Sequence, residues 1–169
     1  GNGDVAAKYF YATLNHATPL VTWCEERGQE PGAANCTGDR QHLFTPVSVV
    51  RAMRDMLVME NGAGLDLALG TARHWLGSGQ RVGVRDACTH FGPVAYRIQY
   101  DAVHAQVVGE IQFAADSTVA WSVLHIRLPG GLVVKSVNPE SKATVLPDGS
   151  GIRWAKPQGT VQFTATTGT

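Results

Sequence analysis

LVMENGAGLDLALG, residues 57–70, is the stretch in which the chain changes from a helical repeat to a two-residue repeat. After Gly62, leucines at 65, 67 and 69 alternate with Asp66 and Ala68 between glycines. Strict alternation of this kind is typical of a half-buried strand, whereas apolar residues three or four apart are typical of a helix. We therefore divide the chain into a helical segment, residues 1–61, and a β segment, residues 62–169.

The β segment contains strand-like runs at fairly regular spacing, separated by turn residues such as Pro129-Gly130-Gly131 and Pro147-Asp148-Gly149. About nine short strands separated by such turns predict an antiparallel β-sandwich. The remaining runs are 81–85, 94–100, 106–113, 119–128, 132–137, 144–146, 152–154 and 160–165. One exception is Arg73 to Leu76, which is predicted to form a helical turn.

The helical segment contains two predicted helices. The first has Asp4 as its N-cap, runs to about Ala17 and ends before Pro19. The second has Thr45 as its N-cap and Pro46 in its first turn, and Asn61-Gly62 ends it. Its apolar stripe consists of Val49, Val50, Met53, Met56 and Leu57.

These two helices carry apolar and aromatic residues that two helices cannot bury by themselves. The first helix contains Tyr9, Phe10 and Tyr11, and the apolar stripe of the second helix points in a different direction. A sandwich covers only one side of such a pair, so the pattern predicts further helical neighbours. The chain also starts at Gly1 without an initiator Met, and we expect further sequence upstream.

Composition excludes several classes of function. The chain has 169 residues, 14 basic and 14 acidic side chains, and a formal net charge of zero. General nucleic-acid binding requires an excess of Lys and Arg, which is absent, so no nucleic-acid partner is expected. No apolar run approaches the length of a membrane span, and no membrane partner is expected. The spacing of cysteines and histidines predicts no metal site, and no cofactor is expected.

Three cysteines, Cys24, Cys36 and Cys88, leave the redox state open. Cys24 and Cys36 bracket part of the long connection between the helices, and a bridge between them would staple it in an exported protein. Two unrelated thiols are the alternative. We expect a secreted or periplasmic location.

The connection from Leu20 to Phe44 is far longer than a helical hairpin requires, and such loops are usually functional or disordered. It concentrates aromatic, charged and imidazole side chains: Trp23, Glu25, Glu26, Arg27, Glu30, Asp39, Arg40 and His42. Carboxylates beside an aromatic ring suit sugar chemistry. Composition alone favours a purely structural interpretation of these residues. In it, Glu25, Glu26 and Arg27 form a solvated ion-pair cluster, Trp23 anchors the loop, and His42 packs against neighbouring side chains.

Three motifs together resemble the end of bacterial six-hairpin α/α-barrel glycoside hydrolases, especially the α-L-rhamnosidase-like and related families. They are Gly38-Asp39-Arg40-Gln41-His42-Leu43-Phe44-Thr45-Pro46, Arg73-His74-Trp75-Leu76 and Thr89-His90-Phe91-Gly92. The resemblance covers nearly the whole chain, as a last helical hairpin followed by a β-sandwich. His42 and Phe44 resemble a histidine and an aromatic residue, usually Trp, that lie near the sugar pocket in those families.

The resemblance implies that the chain is the C-terminal part of an enzyme that hydrolyses glycosidic bonds, and that its partners are a carbohydrate and the remainder of the barrel, in the same or a separate chain. The principal catalytic carboxylates would lie on earlier barrel loops, so no catalytic residue is assigned. The residues expected to line one wall of the sugar pocket are Trp23, Glu25, Arg27, Glu30, Asp39 and His42. The alternative is a stand-alone carbohydrate-binding or structural sandwich, with Trp121 or Trp154 as the sugar platform.

Overall fold

The computed structural model describes residues 2–28, 36–39, 41–139 and 143–169. Two α-helices precede most of the strands: α1 is Gly3–Asn15 and α2 is Phe44–Leu57. Short 3₁₀ turns occur at Arg73–Leu76, as predicted, and at Pro129–Gly131. The strands are β1 Glu26–Arg27, β2 Cys36–Thr37, β3 Val58–Asn61, β4 Gly64–Leu67, β5 Arg81–Ala87, β6 Val94–Asp101, β7 Gln106–Phe113, β8 Trp121–His125, β9 Val133–Asn138, β10 Ala143–Val145, β11 Gly151–Ala155 and β12 Thr160–Gly168.

The strands after α2 form two five-stranded sheets in the described part of the chain. The strand orders are β10-β11-β8-β4-β3 in the first sheet and β5-β6-β7-β12-β9 in the second. Neighbouring strands run antiparallel except β4 and β8, which are parallel. The prediction of a mostly β protein, with a β-sandwich preceded by two helices, is confirmed.

The stretch at residues 57–70 folds differently in detail from the prediction. Helix α2 ends at Leu57, and the next residue begins β3. Asn61-Gly62 therefore does not end a helix: Asn61 is the last residue of β3 and opposes Gly64, so Gly62 and Ala63 form the two-residue turn of a tight hairpin in which Val58 opposes Leu67. The first turn residue, Gly62, has a φ of 57°, a conformation that glycine adopts at little cost. The boundary drawn between residues 61 and 62 lies inside this hairpin.

The core of the sandwich is formed by the inward-facing residues of both sheets. Strand β6 alternates buried and more exposed positions, and Tyr96 and Ile98 are almost completely buried. Between the sheets, the rings of Trp154 and Phe163 lie 5.4 Å apart. Alternation of this kind places every second side chain in the core, so the two-residue repeat in the sequence is the pattern that builds the sandwich.

Helix α1 begins earlier than predicted and has a different N-cap. Asn2 is the N-cap, and its side chain accepts a hydrogen bond from the backbone N–H of Val5 at 3.3 Å. Asp4 instead accepts a hydrogen bond from the backbone N–H of Arg73 at 2.8 Å and pairs with the Arg73 guanidinium. The backbone hydrogen bond from Arg73 is the main reason that the pKa of Asp4 is lowered. Asp4 thus ties α1 to the turn that precedes β5.

The two helices pack through a small apolar cluster separate from the sandwich core. Its buried members are Ala7, Phe10, Met56 and Ala72. Helix α2 begins one residue before the predicted cap, because the backbone N–H of Val47 bonds to the carbonyl of Leu43 at 3.2 Å and closes a turn there.

The end of α2 is fixed to the sandwich by hydrogen bonds. The Tyr96 hydroxyl and the Ala68 backbone N–H both donate to the carbonyl of Leu57, at 3.0 and 2.8 Å. Arg54 donates to the carbonyl of Val58 at 3.1 Å and to that of Cys88 at 3.0 Å. Burial also raises the pKa of Tyr96, so its hydroxyl remains a donor. The end of α2 is therefore tied to both sheets, since Ala68 follows β4 of the first sheet, whereas Tyr96 lies in β6 and Cys88 follows β5 of the second.

Candidate functional site

The long connection between the helices is an ordered hairpin in its described parts. Backbone hydrogen bonds run from Glu25 N–H to the Asp39 carbonyl at 2.9 Å and from His42 N–H to the Trp23 carbonyl at 3.0 Å. Strands β1 and β2 continue the same pairing, with Glu26 opposite Thr37. This hairpin brings Trp23, Glu25, Asp39 and His42 together, although they are up to 19 residues apart in the sequence.

Trp23 is the anchor of this hairpin. Only 5% of the residue is exposed, and its indole N–H donates to the carbonyl of Thr13 in α1 at 2.9 Å. A turn between Thr18 and Thr22, closed by a 2.7 Å hydrogen bond between their hydroxyls, leads from α1 to Trp23. A buried ring offers no face to a sugar, so the geometry favours the interpretation of Trp23 as a loop anchor.

A disulfide also restrains the hairpin. Cys24 is disulfide-bonded, whereas Cys88 is an exposed free thiol at the end of β5. The side chain of Cys36, the other half of the bridge considered from the sequence, lies outside the described residues. A covalent link at Cys24 restricts the unfolded chain and adds to the order of the segment beside Trp23.

Glu25 and Asp39 each use a carboxylate oxygen to order the loop. Oε2 of Glu25 accepts the backbone N–H of Asp39 at 3.3 Å, and Oδ1 of Asp39 accepts the backbone N–H of Gln41 at 2.9 Å. Both residues are exposed. The second oxygen of each carboxylate, Oε1 and Oδ2, makes no hydrogen bond within the described residues. These atoms are available to accept hydrogen bonds from the hydroxyl groups of a ligand.

His42 and Phe44 form an aromatic pair where the hairpin enters α2. Their ring centroids lie 4.7 Å apart and the rings are perpendicular. His42 is half-buried, whereas Phe44 is 76% exposed. The pair therefore lies at the surface beside Asp39. The remaining two predicted site positions, the Arg27 side chain and Glu30, lie outside the described residues.

Sequence inspection missed a buried polar pair in the sandwich. His125 Nε2 lies 2.8 Å from Oδ1 of Asp66, and Asn61 Nδ2 donates to the other carboxylate oxygen at 3.0 Å. Asp66 is only 7% exposed. The signal available in the sequence was a lone carboxylate in an apolar alternating run, but its partner is 59 residues away. The pair holds the β3-β4 hairpin to β8.

Ser122 does not extend this pair into a nucleophilic site. Its hydroxyl is buried on the inner face of β8, where Ser122 opposes Trp154, and has no hydrogen-bond partner within the part of the chain that the structure describes. His125 is three residues further along the same strand, so its side chain points to the opposite face. The arrangement gives Ser122 no base.

The two tryptophans considered as sugar platforms differ in accessibility. Trp154 is 3% exposed and belongs to the core, so it offers no surface to a sugar. Trp121 is half-buried, and the Arg153 guanidinium lies over its ring at 5.0 Å from the centroid. A cation above the ring stabilises this arrangement and covers one face of the platform.

No protein-family model matches the chain, and a search of curated proteins finds no relative. Among the described residues, no group of three or more His, Cys, Asp or Glu side chains is arranged to hold a metal ion. Neither α1 nor α2 is long and apolar enough to cross a membrane, and no other helix in the described ranges is.

Proposed function

We propose that this chain is the C-terminal part of a glycoside hydrolase, in which residues 1–61 pack against further helices of an α/α barrel. In this proposal the hairpin at residues 23–42 lines one wall of a sugar pocket, and the β-sandwich braces the barrel. The enzyme acts on glycosidic bonds, and its carbohydrate substrate lies between this wall and the loops of the other helices.

The observation that carries the proposal is where the exposed apolar side chains lie. Of the eleven large exposed hydrophobic residues in the described part of the chain, nine belong to residues 1–61. The sandwich contributes only two. The nine are Val5, Tyr9, Tyr11, Leu20, Val21, Leu43, Phe44, Val47 and Val50. A concentrated exposed apolar surface is characteristic of an interface.

Helix α2 illustrates the point because it is apolar on two sides. Met53 and Met56 face α1 and its cluster. Phe44, Val47 and Val50 are spaced three residues apart on another side, and they are 76%, 64% and 70% exposed. A helix with apolar residues on both sides is typical of an inner position with neighbours on each side. Further helices of a barrel would supply those neighbours.

The chemistry assigned to this chain is recognition. Hydrolysis of a glycosidic bond requires one carboxylic acid to protonate the leaving oxygen and a second carboxylate to act as base or nucleophile. We place that pair on the preceding barrel loops. Glu25 and Asp39 would accept hydrogen bonds from sugar hydroxyls, and His42, held beside Phe44, would orient the sugar at the pocket edge.

The first test is to sequence the source DNA upstream of the Gly1 codon. An open reading frame that continues for several hundred codons with repeated helical hairpins supports the proposal, and the longer protein should then release nitrophenol from an aryl glycoside. In that protein His42→Ala should raise KM, whereas Lys135→Ala, at an exposed position of β9 in the sandwich, should not. A start codon and signal peptide immediately upstream would overturn the proposal.

The second candidate is a stand-alone carbohydrate-binding or structural sandwich. It is favoured by the separation of the two apolar clusters, since the sandwich core closes without any residue of α1. Titration of the isolated chain with neutral oligosaccharides, followed by tryptophan fluorescence, separates the candidates. The binding form predicts a saturable signal that Trp121→Ala abolishes, and the barrel proposal predicts none.

A further inference from the structure

The outer face of the second sheet contains a polar groove, which we define by Arg81, Arg85, Arg97, Glu110, Gln112 and Gln162. Two adjoining cavities form it, of about 570 and about 440 Å³, and both are lined by Arg81, Arg97 and Glu110. The groove belongs to the sandwich alone. None of its lining residues comes from residues 1–61, so it is distinct from the hairpin described above.

Strand register places the groove residues in a row. Gly83, Arg97, Glu110 and Gln162 oppose one another across β5, β6, β7 and β12. Three interstrand spacings correspond to about 14 Å. Gly83 adds no side chain to this row, and β5 approaches β6 closely there, since a Cβ on Gly83 would clash with the Tyr96 carbonyl oxygen. The row of Arg97, Glu110 and Gln162 has the length to contact a short extended ligand.

Four of the groove side chains, those of Arg81, Glu110, Gln112 and Gln162, are held in position by hydrogen bonds. The two carboxylate oxygens of Glu110 accept from Gln112 at 2.7 Å and from Gln162 at 2.8 Å. Nε of Arg81 donates to the side-chain oxygen of Gln99 at 2.9 Å. Side chains ordered before binding lose less conformational entropy when a ligand arrives. Glu110, Gln112 and Gln162 thus form a preorganised set of donors and acceptors beside Arg97.

The charges in the groove favour an anion. Three guanidinium groups, those of Arg81, Arg85 and Arg97, face two carboxylates, those of Asp86 and Glu110. Within the described residues, Arg85 and Arg97 make no hydrogen bond or ion pair, and both are exposed. Both Glu110 oxygens already accept amide donors. The charge of Arg97 helps to lower the pKa of Glu110, which lies opposite it, but the guanidinium N–H groups of Arg97 make no hydrogen bond within the described residues. They can therefore donate a bidentate pair of hydrogen bonds to a ligand carboxylate.

We propose that the polar groove binds an acidic saccharide, with a uronic acid carboxylate on Arg97 and the sugar hydroxyls on the neighbouring amide and carboxylate groups. Gln side chains offer both a donor and an acceptor, which matches the alternating capacity of sugar hydroxyls. A single-stranded nucleic acid is a poorer match, because none of the groove residues offers an exposed aromatic ring on which a base could stack. This site is independent of the proposed barrel.

The test is isothermal titration calorimetry of the 169-residue chain with trigalacturonic acid and, separately, with its methyl ester. We expect saturable binding of the acid and at least tenfold weaker binding of the ester, which differs by loss of the charges. Arg97→Gln should weaken binding of the acid at least tenfold. Arg51→Gln, which removes an exposed arginine from α2, is the matched control and should leave binding unchanged.

Thermal melting of both variants checks that they fold, and NMR of the Gln112 and Gln162 side-chain amides locates the ligand independently. The proposal is overturned if the acid does not bind at millimolar concentration, if the ester binds equally well, or if both arginine variants reduce binding to the same extent. Because the groove contains no residue of the helical segment, these outcomes are separate from those of the upstream sequencing.

Discussion

His125 Nε2 lies 2.8 Å from Oδ1 of Asp66, and this pair joins two parallel strands whose residues are 59 positions apart in the chain. The side chains are 18% and 9% exposed. A second His–Asp pair, His104 with Asp101, has a similar separation of 2.6 Å but lies in an exposed turn, with 67% of the His104 side chain accessible. The effect of burial on a His–Asp pair can therefore be measured by comparing these two pairs within one protein.

We expect His125→Ala to lower the free energy of unfolding by about 1–3 kcal/mol, because it leaves the Asp66 carboxylate with one partner in a nearly dry site. The exposed counterpart His104→Ala should change it by no more than about 1 kcal/mol. Urea denaturation followed by circular dichroism measures both. If both substitutions lowered the free energy of unfolding equally, burial of the Asp66–His125 pair would add nothing to its stabilising effect.

Trp23→Phe tests the anchor of the hairpin. It removes the indole N–H that donates to Thr13 while keeping an aromatic ring, and we expect a loss of about 0.5–1.5 kcal/mol from the hydrogen bond. Trp23→Ala should cost about 3–5 kcal/mol, because it also empties a buried site. Protease cleavage within the hairpin should accelerate in the same order. If Trp23→Ala left stability unchanged, the anchor interpretation would fail.

Helix α2 allows its two apolar sides to be compared. Val50 is 70% exposed and Met56 is 7% exposed. Val50→Ser should change the unfolding free energy of the isolated chain by about 0.5 kcal/mol or less, and Met56→Ala should cost about 2–5 kcal/mol. A large stability loss from Val50→Ser would show that this side is already packed.

Glu110 should titrate below its ordinary value. The side-chain hydrogen bond from Gln162 is the largest cause of the lowered pKa, followed by that from Gln112. NMR titration of the side-chain carboxyl carbon should therefore give a pKa below 4.5. Gln162→Ala should raise this pKa towards 4.5, and Gln112→Ala should raise it by less.

The same shift has a defined sign for stability. Since the folded-state pKa of Glu110 is depressed, its contribution is present above the ordinary pKa and is lost as the pH falls through the folded-state value. Asp148, whose pKa is lowered mainly by the side chain of Ser150, provides the internal control and should not respond to Gln162→Ala. A response of both carboxyls to that substitution would point to a global change instead.

The strands could be predicted because their signal is local. Alternation within 94–101 and 106–113 specifies which side chains enter the core without reference to any partner. Strand β3 was missed because the apolar stripe of α2 runs into Val58 without interruption, and only pairing with β4 distinguishes strand from helix there.

Burial on the helices and the geometry of the site were less predictable, because both depend on distant contacts. The helical repeat of α1 left Tyr9 and Phe10 as alternatives for the apolar face; Phe10 is buried with Ala7 in the cluster shared with α2, whereas Tyr9 is 70% exposed. The Trp23 anchor depends on a carbonyl ten residues away, and the Asp66–His125 pair depends on a parallel register. No spacing rule in the sequence encodes either contact.

The absence of any linker between Leu57 and Val58 limits how this chain can be divided. An expression boundary at residue 62 would remove β3 and leave β4 as a bare sheet edge, which invites aggregation. Because α2 continues directly into that edge strand, no hinge separates helix from sheet at this joint. A displacement of α2 would therefore also move β3, the edge strand of the first sheet, so the helices and the sandwich should be transferred into another protein as one unit.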